Sequence, residues 1–213
     1  MKTKHTRALA AVIGLGLMAL AGPTSAQQNN GLPPGVFVGE RDYHGATAGA
    51  YALDPNHAAV IAKVSHIGYS YSVFRFDKVA GELTWDPAAP ERSTLKVKVQ
   101  TSSIATNVPG FPAQLSGADW LNAPAFPEAT FTSTAFRQTD ALHGKVDGQF
   151  TLMGKTRPLT FDVTLVGAGK GFMGHPRMGV HAEAGIDPKD YGLPPMMTAP
   201  ILLVIDTEFE KTN

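Results

Sequence analysis

Cysteine is absent from all 213 residues. That excludes disulfides, thiol nucleophiles, thiolate metal sites and a cysteine-linked lipid anchor. A dominant charge is also lacking, since 18 Lys and Arg face 18 Asp and Glu. The basic residues form no cluster of the kind that nucleic acid or an anionic lipid surface needs. Helical periodicity is scarce. No Gly-x-Ser-x-Gly elbow, His-Glu-x-x-His helix or phosphate loop occurs. The usual hydrolase, zinc-protease and nucleotide-binding signatures are therefore missing.

What is present begins with Lys2, Lys4 and Arg7, followed by the uncharged stretch Ala8 to Gly22 and then Thr24-Ser25-Ala26. The order basic, apolar, small predicts a secretory signal peptide over residues 1–26, cut after Ala26. The apolar part is about 15 residues, short of the roughly 20 needed to span a bilayer. No later stretch is longer, so no stable membrane anchor is expected. Cleavage leaves 18 − 3 = 15 basic residues against 18 acidic ones, a net charge near −3. Residues 27–49 are rich in Gln, Asn, Gly and Pro and read as a linker or N-terminal arm. Residues 50–213 read as one domain with a sizeable core.

Within that domain, short runs of period two follow one another between Gly, Pro, Asp and Asn. Leu95, Val97 and Val99 alternate with Lys96, Lys98 and Gln100. This is the pattern of a strand with one buried face. Val60, Ala62, Val64 and His66 share a face of an earlier run, Asn56 to His66. Phe74 and Phe76 lie on Ser72 to Asp86, which is long for one strand and predicts a bend near Val79-Ala80-Gly81. Phe131 belongs to Glu128 to Arg137. Val146, Phe150 and Leu152 share a face with Gly144 and Gly148. Phe161 and Val163 follow, then Met178, Val180 and Ala182. The last run, Ile201 to Phe209, is apolar on both faces at first. A break at Pro109 to Ala125 predicts a short helical cap carrying Trp120.

About eight such strands predict an all-β, antiparallel fold. Periodicity alone leaves sandwich and barrel open, and the inward glycines favour a barrel. The inward residues named above could line a ligand cavity or fill a dry core, and burial is favourable either way. His181 and Glu183 share a strand face, but a solvated pair explains them, so no metal site and no cofactor are expected. Asp187 to Gly192 reads as a turn-rich loop between strands, with a role at a barrel mouth as the alternative.

Several segments together resemble one family. Tyr51-Ala52-Leu53-Asp54-Pro55-Asn56-His57 and Val64-Ser65-His66 are similar to the opening of YceI-like proteins. Ser103-Ile104-Ala105-Thr106 also fits. Phe126-Pro127-Glu128-Ala129-Thr130-Phe131-Thr132-Ser133-Thr134 is the most specific match. Gly154-Lys155-Thr156-Arg157-Pro158-Leu159, Ile186-Asp187 and Asp190-Tyr191-Gly192 complete the series in order. The resemblance implies an eight-stranded antiparallel lipocalin-like barrel, exported to the periplasm, that binds polyisoprenoids or a similar long apolar ligand. It supplies no catalytic residues to carry over, and with no paired base and nucleophile in the sequence the chain is expected not to be an enzyme; the resemblance also suggests a homodimer, since some members are dimers. The residues depart from the family pattern at Ala58, Ala62, Gln114 and Pro188. Two rival functions remain at this point: an enzyme acting on such a lipid through His66, and a filled barrel serving as a protein-interaction module.

Overall fold

The alternation read at Leu95, Val97 and Val99 is realised in a closed antiparallel barrel. The computed structural model describes Pro33 and residues 36–171 and 174–212. The signal peptide expected over residues 1–26 lies outside the described residues. Ten strands are present: β1 (Gly49–His66), β2 (Ser70–Phe76), β3 (Val79–Trp85), β4 (Thr94–Gln100), β5 (Ile104–Ala105), β6 (Glu128–Gln138), β7 (His143–Leu152), β8 (Lys155–Lys170), β9 (Pro176–Ile186) and β10 (Ile201–Lys211). Among the described residues two short α-helices interrupt them, α1 (Phe111–Ser116) and α2 (Pro188–Tyr191).

The ten strands make eight staves. β2 and β3 are two halves of one bent stave, both pairing with β1, and β5 prolongs β4 against β2. β6 to β10 follow in order, and β10 pairs with β1 to close the ring. Closure removes the sheet edges that would otherwise recruit another chain.

The bend in the second stave falls at Asp77-Lys78, just before the predicted Val79-Ala80-Gly81. A neighbouring turn takes up the backbone groups freed there. The Asp77 amide donates to the Ser103 carbonyl at 3.2 Å, and the Lys78 amide donates to the Ser103 hydroxyl at 3.1 Å. β1 begins at Gly49, earlier than the run read from Asn56, and its pairing with β10 skips from Leu53 to Ala58. Asp54 to His57 bulge out there and produce the local kink expected of unpaired residues.

Glycine has a defined task at position 148. A Cβ there would stand 2.4 Å from the Phe131 ring and 2.5 Å from the Thr132 carbonyl. The missing side chain lets Phe131 lie over β7 and meet Phe161 edge to face, with 5.1 Å between ring centroids.

Side chains pack across both ends of the barrel. At the base, Tyr51, Leu83, Trp85, Leu165, Met178 and Phe209 pack together, with Tyr43 beside them. At the other end, Leu115 of α1, Tyr191 of α2, Leu121 and Leu193 cover the opening. Part of the arm read as a linker over residues 27–49 takes part in this packing. The Glu40 amide donates to the Ala168 carbonyl and the Ala168 amide to the Glu40 carbonyl, each at 2.8 Å. Ala46 is fully buried against the base.

Candidate functional site

The inward faces of the staves do not meet. They leave a cavity of about 300 Å3 between the base and the cap, with an almost wholly apolar surface. Pockets that take small molecules usually start at about this size. Even-numbered residues of β1, Val60, Ala62 and Val64, face it together with Phe74 and Phe76 of β2. Leu95, Val97 and Val99 contribute from β4. Across the barrel stand Phe131 of β6, Val146, Phe150 and Leu152 of β7, Phe161 and Val163 of β8, and Met178, Val180 and Ala182 of β9. Trp120 reaches in from the cap. Lys96 and Lys98 point outward and are exposed.

His66 has the parity of the inward set and is a correction. It is exposed at the last pair of β1 and β2, opposite Ser70, where the hairpin has run past the cavity. Shared parity fixes the face of a strand but not how far along it the barrel extends. The enzyme reading that relied on His66 has no support from this position.

Other lining residues carried weaker sequence signals. Leu203, Ile205, Thr207 and Phe209 of β10 line the cavity. Their strand begins Ile201-Leu202-Leu203-Val204-Ile205, which is apolar on both faces and conceals which side is inward. Leu53, Leu83 and Trp85 also face in, and simple alternation could have found them. At the base, the Trp85 indole N–H donates to the Ala46 carbonyl at 3.2 Å, and the Tyr51 hydroxyl to the Thr47 carbonyl at 2.6 Å.

The lining becomes polar at one rim, the turn between β6 and β7. Gln138, Asp140 and His143 stand there, with Pro90 also on the lining. Asp140 accepts from the Leu142 amide at 2.8 Å and the His143 amide at 2.9 Å, and pairs with the His143 ring. The Leu142 and His143 contacts hold its carboxyl below the ordinary carboxylate range.

The strongest electrostatic cluster lies outside the cavity. Arg177 pairs with Asp54 at 2.8 Å, with Glu208 at 2.5 Å and with Glu210. Burial alone would raise the Asp54 carboxyl. Hydrogen bonds from His57, Arg177 and the Asn56 amide outweigh that and hold it at about 2. Asp54, His57 and Glu208 bring their ligand atoms within 4.8 Å of one another, a grouping that sequence spacing did not reveal. The Arg177 guanidinium donates to two of the three, so their negative charge already has a partner. His181 and Glu183 share the outer face as read, and Asp206 joins them. Its hydrogen bond to Asp206 outweighs partial burial and raises the His181 pKa, with Glu183 adding to the effect.

The Asp187–Gly192 segment is not an open loop. The Asp187 carboxylate caps α2 by accepting from the Lys189 amide at 3.0 Å, and Gly192 ends the helix at φ +77°. The turn buries Tyr191, which meets Phe150 edge to face at 5.5 Å. The segment therefore seals the cap end of the cavity.

The YceI-like domain family matches residues 51–210. A UPF0312 protein of Pseudomonas putida (strain W619) is 37% identical over 150 residues, covering 70% of this chain and 78% of the relative. The solved structure of Burkholderia cenocepacia BcnA superposes with a TM-score of 0.66 at 20% identity, covering 73% of this chain and 98% of that one. A structure from Saccharophagus degradans, described as a polyisoprenoid binding domain implicated in plant cell wall breakdown, has a TM-score of 0.54 at 14% identity. It covers 76% of this chain and 98% of its own. The family match spans the strands from β1 to β10 that enclose the cavity, and with it this chain belongs to the YceI-like domain family.

Proposed function

We infer that this chain is a non-catalytic lipid carrier, exported to the periplasm, that shelters a polyisoprenoid-like chain inside its barrel. The observation that carries this reading is the cavity inside the barrel, lined almost entirely by apolar side chains and open toward the β6–β7 turn. An apolar chain in water costs roughly 0.8 kcal/mol per methylene, and a preformed dry tunnel removes that cost. The similarly folded polyisoprenoid binding domain supports the ligand class. Export rests on the order of basic, apolar and small residues over 1–26.

The test is a titration of the mature protein with N-phenyl-1-naphthylamine, a neutral dye that brightens in apolar surroundings. The expected result is saturable brightening that farnesol reverses. Absence of brightening in a protein that unfolds cooperatively would overturn the carrier reading and favour a filled barrel.

A further inference from the structure

One hydroxyl stands out in the cavity wall. Thr207 of β10 is 7% exposed and lines the cavity among Val180, Ile205 and Phe209. Its hydroxyl donates to the Glu208 carbonyl at 3.5 Å. Good bonds between oxygens span roughly 2.5–3.0 Å, so this contact is weak. Thr101, the other deeply buried threonine of the lining, differs. Its hydroxyl donates to the Phe126 carbonyl at 2.7 Å and is fully engaged. A buried hydroxyl with a poor partner is stabilised by any ligand oxygen that comes within reach.

The position of Thr207 fits such a ligand. In the sheet register Thr207 lies opposite Val180, and Val180 opposite Leu165. The Leu165 amide donates to the Leu142 carbonyl at 2.8 Å, which carries the row to the polar rim of the cavity. The rim does not favour a charged head. Arg137 is held by two hydrogen bonds to Asp147, each 2.6 Å, and Lys145 is paired with Asp162. His143 is paired with Asp140. A phosphate or carboxylate would meet cations that already have partners, beside the Asp140 carboxylate. An alcohol or ketone oxygen would meet a hydroxyl with bonding capacity to spare.

We propose that Thr207 is the polar anchor of the cavity, selecting apolar chains that end in an uncharged oxygen. This rests on the carrier reading. The experiment measures displacement of N-phenyl-1-naphthylamine by farnesol and by farnesene, the matching hydrocarbon, from wild type, Thr207→Val and Thr207→Ser. Wild type should prefer farnesol, Thr207→Val should lose about tenfold of that preference, and Thr207→Ser should keep it. Farnesene affinity and thermal unfolding should be unchanged in all three, which separates anchoring from structural damage. Thr207→Ala provides the same comparison if the valine variant fails to fold. An unchanged farnesol preference without the hydroxyl would overturn the anchor while leaving the carrier intact. Binding of neither compound to wild type would remove the carrier reading, and the anchor with it.

Discussion

The two ends of the barrel are held together by different physics. The base is tied by hydrogen bonds between distant segments, Glu40 to Ala168 through two backbone bonds and Trp85 to the Ala46 carbonyl, with a local bond from Tyr51 to the Thr47 carbonyl. The ion cluster of Arg177 with Asp54, Glu208 and Glu210 lies on the outer wall toward that end. At the cap, the bonds following α1 run largely within the segment. The Leu121 amide donates to the Leu115 carbonyl and the Ala123 amide to the Ser116 carbonyl, each at 3.0 Å. Leu115, Leu121, Tyr191 and Leu193 then meet the barrel by apolar packing. The segment's long-range bonds gather at its end, where Thr101 donates to the Phe126 and Pro127 carbonyls, and such a segment of short helices and apolar packing opens at lower free energy than the sheet beneath it. The base is accordingly the fixed end and the cap the yielding one.

Truncation at the base should have the largest effect. Trp85→Ala removes a large buried ring and its hydrogen bond to Ala46, and should cost about 3–5 kcal/mol in urea unfolding. At the cap, Leu115→Ala should cost about 2–3 kcal/mol, near the low end for a buried leucine because a short helix can settle into the space. Hydrogen exchange sharpens the contrast: the Leu121 amide should exchange faster than the Ala168 amide. Equal protection at the two sites would erase the distinction between the ends.

Acid should act on the base side. The Asp54 carboxyl titrates at about 2 in the folded chain against an ordinary value of 3.8. A depressed carboxyl contributes stability that is fully present above 3.8 and lost as pH falls through 2. The expected loss is about 1–2 kcal/mol between pH 5 and pH 2 from this group, measured by urea unfolding at each pH. Asp54→Asn should flatten that part of the profile. A profile as steep as that of wild type would detach Asp54 from the base.

The smallest expected effect on stability lies in the cavity wall near the cap. Ala62 faces the cavity between Phe74 on β2 and Leu203 on β10. Ala62→Phe has space to enter, so the ligand-free melting temperature should stay unchanged while dye and farnesol binding weaken. An overpacked core would instead lose about 1–3 kcal/mol.

Particular residues show how far the sequence could be read. β4 was legible because lysines and a glutamine occupy one parity and aliphatic residues the other, so face and register follow together. β10 was not, because Leu202 and Val204 on the outer parity are as apolar as Leu203 and Ile205 on the inner one. Thr207 escaped for the opposite reason: a lone hydroxyl in an alternating run looks like a solvent-facing residue. His66 had the right parity but stands beyond the last ring of the cavity. The docking of residues 40–46 left no side-chain period to read, since it depends on backbone bonds and on close approach. A Cβ on Gly45 would stand 2.9 Å from the Ala168 carbonyl oxygen.

The central claim is that the cavity holds an apolar chain. The most direct test is mass spectrometry of the organic extract of the protein purified without detergent. The account predicts a stoichiometric isoprenoid-like lipid with an uncharged oxygen at its head, lost from Ala62→Phe. Protein that emerges empty, and stays empty after incubation with farnesol, would contradict it.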